Sequence, residues 1–171
     1  MNKLRELGKI KFGKRYTIYS VKDGQPCMDH DRQSGEAVVP QEYTGIKIQV
    51  TEFAPEATEF LKEQNYDTTG KKFFLVAATL RPETMYGQTC CFVSPKITYG
   101  IFNAGNNEYY ICTERSFKNM CYQDLTPSRG DFNSSINIEG SKLIGSKIHA
   151  PLTPHPELRI LPMETVLATK D

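Results

Sequence analysis

Hydrophobic residues fall into two patterns along this chain, and each predicts a different kind of strand. Thr44 to Phe53 alternates with period two: Ile46, Ile48 and Val50 share one face, and Lys47, Gln49 and Thr51 the other. That spacing predicts a half-exposed strand. Phe73 to Ala78 is instead a continuous apolar run, the pattern of a strand buried on both faces. Between them, Pro55 to Gln64 predicts a short surface helix, with Glu56, Glu59 and Glu63 outward and Phe60 and Leu61 inward. Asn65 to Lys72 is a polar loop that delivers the chain to the apolar run.

The flanking segments add short strands and few helices. Asn2 to Leu7 predicts a weak helix stopped at Gly8, and Tyr16 to Ser20 a strand with Asp23-Gly24 as its turn signal. Tyr99 to Phe102 and Tyr109 to Cys112 flank Asn103-Ala-Gly-Asn-Asn107, which is hairpin chemistry. Thr113 is placed to cap a helix from Glu114 to about Met120, with Glu114 favourable in its first turn. Ser128 to Asn137 reads as a turn-rich loop, and Lys142 to His149 and Leu158 to Leu161 as strands, the second cut by Pro162. Pro151, Pro154 and Pro156 keep the link between those strands extended. Strands outnumber helices, so the expected class is α/β: a strand-rich mixed β-barrel, or strongly curled sheet, with peripheral helices.

The chain changes character at Thr79, where the apolar run ends. Pro82 cannot continue a ladder, its fixed φ suits the first position of a helix, and it pushes Arg81 out of the α region. Glu83 falls in the first helical turn, Gly87 is a natural stop, and a second strand is expected from Gln88 to Val93. Thr79, Arg81, Glu83 and Thr84 therefore gather at a strand end, beside a helix N-terminus with unpaired N–H groups. Such a corner either holds an anion or a polarised carbonyl, or is a threonine-rich cap that satisfies only its own backbone. The residues by themselves leave both open.

Composition narrows the partners more than the chemistry. At 171 residues one domain with a real core is the natural count, and a net charge of +1 points to neither a nucleic acid nor a membrane. Lys3, Arg5, Lys9, Lys11, Lys14 and Arg15 face only Glu6, a local patch suited to a phosphate backbone or simply to solvent. Cys27, Cys90, Cys91, Cys112 and Cys121 lack C-x-x-C spacing and read as buried free thiols of a reducing compartment. Adjacent Cys90 and Cys91 are expected on opposite faces of a strand. His30, His149 and His155 are scattered, so no metal site is expected, and Met28-Asp-His-Asp-Arg32 reads as a polar loop. No apolar run reaches the roughly 18 residues of a membrane span, and no signal peptide is visible.

Thr79-Leu-Arg-Pro-Glu-Thr84 resembles the threonine-rich T-x-R-P-[DE]-T segment of the editing domains of leucyl-, isoleucyl- and valyl-tRNA synthetases. The longer Ala77 to Thr89 string, Asp23 to Glu36, and Glu157-Leu-Arg-Ile-Leu-Pro-Met163 resemble the eukaryotic cytosolic leucyl family, most closely its fungal members. This resemblance runs over nearly the whole chain. It implies residues 1–15 as a basic connector and 16–171 as an editing domain, a β-barrel that hydrolyses the ester of mischarged leucine tRNA. Norvaline, isoleucine and methionine would be the misattached residues. Thr79 and Arg81 would be catalytic, holding ester and water; Leu80, Thr84, Leu161, Met163 and Lys170 would contact substrate, with Thr84 blocking the leucyl group; Pro82 and Glu83 would be structural. The partner would be the 3′-terminal adenosine of the tRNA, with adenosine nucleotides as site ligands. The editing step would need no cofactor, whereas ATP and Mg would serve the synthetic core of a longer parent, expected to be a cytoplasmic monomer.

The match breaks near the end. After Met163 the family runs to a Lys-Gly-Thr-Gly turn and a downstream aspartate that grips the substrate's α-ammonium, whereas this chain reads Leu167-Ala-Thr-Lys-Asp171. Asp171 stands where glycine is expected, so the domain is expected to be incomplete, its second pocket wall absent. No H-I-G-H-like or K-M-S-K-S-like sequence occurs either. The alternative is a non-catalytic insert: a structural one, or an RNA-binding barrel with the basic patch and some of its nine Tyr and nine Phe as stacking platforms.

Overall fold

A computed structural model describes residues 1–11, 13, 17–20, 22–27 and 42–168, in two compact units, Met1–Glu42 and Tyr43–Asp171. In the first, α1 (Asn2–Glu6) buries no side chain and ends before Gly8, at φ +66°. Strands β1 (Tyr19–Ser20) and β2 (Gln25–Pro26) form an antiparallel hairpin. Its turn is tied by Ser20, whose hydroxyl donates to the Asp23 carboxylate at 2.6 Å. Tyr16 and the whole Met28–Arg32 stretch lie outside the described residues.

The second unit is built on one mixed sheet. Its elements in chain order are β3 (Thr44–Glu52), α2 (Pro55–Glu63), β4 (Lys72–Thr79), a 3₁₀ helix (Pro82–Gly87), β5 (Cys91–Val93), β6 (Thr98–Gly105), β7 (Glu108–Cys112), α3 (Glu114–Tyr122), β8 (Ile136–Glu139), α4 (Gly140–Leu143), β9 (Lys147–His149) and β10 (Leu158–Pro162). The strand order is β5-β10-β9-β3-β4-β7-β6-β8. The β4–β7 and β5–β10 pairs are parallel, and the other pairs are antiparallel. The Asn106–Asn107 turn between β6 and β7 has positive φ at both residues, 52° and 60°, which matches the right-handed strand twist.

The connections force this sheet to curl. Residues 94–97 join β5 at one edge to β6, the neighbour of the opposite edge strand. In a flat sheet those two strands would stand about 29 Å apart, yet the connecting chain reaches about 18 Å at most. The curl is also visible in the packing, because one apolar cluster draws on every strand, including Val93 of β5 and Ile138 of β8 at the two edges. Gly140 marks the tightest approach: a Cβ there would fall on the Ser94 carbonyl oxygen. The mixed, strand-rich class expected from the sequence is therefore present. The closed barrel is not: among the described residues no ladder pairs β5 with β8.

Helix α2 covers the concave side through Ala57 and Leu61, and Phe60, expected inward, packs half-buried against the same core. Helix α3 covers part of the opposite face, stacking Phe117 on Phe102 with ring centroids 4.3 Å apart. Several expected boundaries move. Strand β9 starts at Lys147 rather than Lys142, because Gly140–Leu143 is helical and Gly145 turns the chain at φ +85°. Strand β5 keeps only Cys91–Val93 of the expected Gln88–Val93, so Cys90 lies outside it. Of the cysteines, Cys112 and Cys121 are buried, and Cys27, Cys90 and Cys91 are half-buried.

Candidate functional site

Strand β4 carries the candidate corner, and it loses a neighbour on the way. Its parallel ladder with β7 ends at Leu75–Ile111, while its ladder with β3 continues to Thr79–Thr44. Phe73, Phe74 and Leu75 are buried as the apolar run predicts, but Ala77 and Ala78 are exposed. With one partner strand left and small side chains, the end of β4 opens to solvent and presents Thr79 there.

Arg81 then adopts φ −129° and ψ 78°, the extended geometry its following proline requires. Pro82 to Gly87 forms the helical turns expected after the proline, wound as a tight 3₁₀ helix. Two threonines clamp the Arg81 backbone. The Thr79 hydroxyl oxygen accepts the Arg81 N–H at 3.0 Å, and the Thr84 hydroxyl donates to the Arg81 carbonyl at 2.8 Å. The Thr84 N–H shares that carbonyl at 3.1 Å. The local cap anticipated from the sequence is thus present. It leaves chemistry unspent: the Thr79 hydroxyl keeps its proton to donate, and the Thr84 oxygen keeps its lone pairs to accept. Both hold the backbone of Arg81, a residue that is itself exposed. The corner thus carries one donor, one acceptor and one cation, with Arg81 and Thr84 exposed and Thr79 half-buried.

Met85, 8% exposed, anchors the turn in the core. Leu80 and Glu83 point outward and Pro82 is half-buried. Leu161 and Met163 sit elsewhere, along β5: Leu161 pairs with Phe92, and the Met163 N–H donates to the Val93 carbonyl at 2.9 Å. Both are partly exposed, at 40% and 36%. Lys170 lies outside the described residues.

A cleft of about 250 Å³ opens at one mouth of the curled sheet. Ile48, Leu75, Ile111 and Tyr99 form its apolar floor, and its rim comes from Arg115, Ser116 and Asn119 of α3 and from Val166 to Ala168. None of Thr79 to Thr84, Leu161 or Met163 lines it. Val76 and Ala77 do, so the cleft and the corner share β4 without coinciding. The polar rim was missed from sequence, although Arg115 and Asn119 lie one helical turn apart, a spacing that places them on one side of α3. Cys91 also borders the cleft, where burial pushes its thiol up to about 11, further from the reactive thiolate form. Among the described residues, no three His, Cys, Asp or Glu side chains gather as a metal site would require.

No protein-family model matches the chain. It is 65% identical over 170 residues to the cytoplasmic leucine–tRNA ligase of Saccharomyces cerevisiae, covering 99% of this chain and 16% of that protein. The cytoplasmic leucine–tRNA ligase of Pongo abelii is 50% identical over 167 residues, which cover 98% of this chain and 14% of that protein. The chain therefore spans only 14% to 16% of the length of these relatives. Among solved structures, the Plasmodium knowlesi cytosolic leucyl-tRNA synthetase editing domain superposes with a TM-score of 0.61 at 30% identity, covering 75% of this chain and 55% of that one. The crystal structure of GlLeuRS-CP1 superposes with a TM-score of 0.69, also at 30% identity, covering 77% of this chain and 56% of that one. The chain thus matches, over nearly its whole length, a segment of the cytoplasmic leucyl-tRNA synthetases, and the part of them it matches in fold is their editing domain.

Proposed function

We propose that this chain is part of the editing domain of a cytoplasmic leucine–tRNA ligase, and that within that longer enzyme it takes part in hydrolysing the ester of leucine tRNA carrying a non-cognate amino acid. The observation that supports this most is the fold match to a leucyl-tRNA synthetase editing domain in a chain whose corner fixes a donor, an acceptor and a cation. A leucine enzyme needs such a step. One methylene is worth only about 1–3 kcal/mol in an apolar pocket, so binding alone does not reject norvaline, isoleucine or methionine.

An aminoacyl ester is already activated, so positioning and charge stabilisation suffice. The Thr79 hydroxyl donates to the ester oxygen as negative charge develops there, and the Arg81 guanidinium steadies the same charge or the tRNA phosphate. Thr84 stands against the amino-acid side chain; Leu80, Leu161, Met163 and Lys170 complete contacts to amino acid and terminal adenosine. Pro82 and Glu83 shape the turn. No cofactor enters this step; ATP and Mg belong to amino-acid activation elsewhere in the longer enzyme, a monomer. Residues 1–15 serve as connector and 16–171 as the editing fold, its curled sheet completed to a barrel.

The test is a chimera in which this segment replaces its counterpart in the S. cerevisiae enzyme. It is expected to release free amino acid from norvalyl- or isoleucyl-tRNA, and Thr79→Val or Arg81→Ala to slow that release by about 10- to 1000-fold. A chimera that charges leucine tRNA normally but never clears the mischarged forms would refute the proposal.

A further inference from the structure

Among the described residues, five non-glycine positions have positive φ, and four of them are Asn or Asp, the residues that tolerate it. The fifth is Leu152, at φ +67°. Its side chain is 54% exposed, so burial does not compensate a conformation disfavoured for leucine. It lies between β9 and β10, in a stretch that also holds Pro151, Pro154 and Pro156. The next residue shows what the strain achieves. The Thr153 hydroxyl donates to the Gln88 carbonyl at 2.8 Å, a partly buried bond between residues 65 apart. The same oxygen accepts the His155 N–H at 3.4 Å, which fixes its direction.

Gln88 closes the 3₁₀ helix of the candidate corner, its N–H donating to Met85 at 3.2 Å. The helix is thus held at its start by the Thr79 and Thr84 clamp and at its end by Thr153. A single 3₁₀ helix has weak hydrogen-bond geometry and little stability of its own. We infer that Leu152 and Thr153 form a positioning strap: the strained backbone of Leu152 aims Thr153 at Gln88, and this tie holds Arg81 and Thr84 in the orientation that hydrolysis requires. The inference rests on the corner being the hydrolytic site, and it makes Thr153 a positioning residue, not a catalytic one.

Two measurements keep the strap and the functional reading separate. The first is amide hydrogen exchange in the 171-residue chain. Thr153→Val is expected to speed exchange at Thr84 and Gln88 by about tenfold, the loss of one neutral hydrogen bond. Thr153→Ser should restore the slow rate, and Ile48 and Ile111 should not change. Unchanged corner amides, or equal acceleration in the core, would overturn the strap whatever the chemistry. The second is hydrolysis of isoleucyl-tRNA by the chimera, where Thr153→Val should lower kcat about tenfold at constant KM, with rescue by Thr153→Ser. A chimera that hydrolyses equally well with valine at 153 overturns the strap and leaves the function standing. An inactive parent chimera overturns the function, and the exchange rates then decide the tie alone.

Discussion

Thr84 carries two groups, a hydroxyl and a methyl, whose contributions separate by substitution. Its hydroxyl donates to the Arg81 carbonyl, while its methyl is free to crowd whatever occupies the corner. In the chimera, Thr84→Ala removes both, and leucyl-tRNA should be hydrolysed about tenfold faster as the space opens, within the few kcal/mol such exclusion is worth. Thr84→Ser keeps the hydrogen bond and should gain the same leucyl activity if steric exclusion by the methyl is the mechanism. If neither variant deacylates leucyl-tRNA above the parent rate, Thr84 does not set specificity. A buried thiol offers a second test at this scale. Burial, with Cys121 nearby, pushes the Cys112 thiol up to about 12 from an ordinary value near 9. The native state therefore keeps a proton that the unfolded chain gives up, so this stability is intact below pH 9 and is lost as pH rises from there towards 12. Urea unfolding between pH 8 and about 11 should show a shallower loss for Cys112→Ala than for the parent chain. Parallel curves would show that the thiol does not contribute.

Elements here depend on distant residues, which bounds what local sequence could reveal. Helix α2 begins after Ala54, which has no side chain to cap it. The N–H of Ala54 is instead accepted by the hydroxyl of Ser146, 92 residues away and 1% exposed, at 2.9 Å. Ser146→Ala leaves that buried N–H unpaired and should cost about 1–3 kcal/mol, read as a lower Tm with an unchanged far-ultraviolet spectrum. An unchanged Tm would mean the helix start is satisfied otherwise. The same dependence explains the misread boundaries. Ile46, Ile48 and Val50 were legible because period two and a solvated face are written in adjacent residues. Ala77 and Ala78 were not, because their exposure follows from where β7 stops, and no residue of β4 encodes that. Pro82 announced a helical start correctly, yet the 3₁₀ form reflects bonds from Arg81 and Thr84 that hydrophobic periodicity does not register. The corner itself was legible from the end of the apolar run and from Pro82, while only family resemblance suggested roles for its residues. The α3 rim of the cleft was not, since it meets β4 only across the fold.

Taken whole, the second unit is a curled sheet with its apolar interior closed and one mouth open. Its cleft has core residues for a floor, while Phe92 and Leu167 on its border remain 43% and 64% exposed. The editing-domain structures that the chain resembles are longer, and it covers 55% to 56% of them. A core drawn from every strand of the sheet should fold without that remainder. Hydrolysis is a different requirement, because oxyanion stabilisation is strong only where bulk water is excluded, and the Thr79 to Thr84 corner lies open. The isolated 171-residue chain is therefore expected to unfold in one cooperative thermal transition for the sheet unit, yet to deacylate isoleucyl-tRNA at least about 100-fold more slowly than the chimera that supplies the rest of the enzyme. Comparing the two proteins under identical conditions decides it. Equal rates would mean that the corner described here is sufficient by itself, and that shielding from solvent contributes little to the reaction.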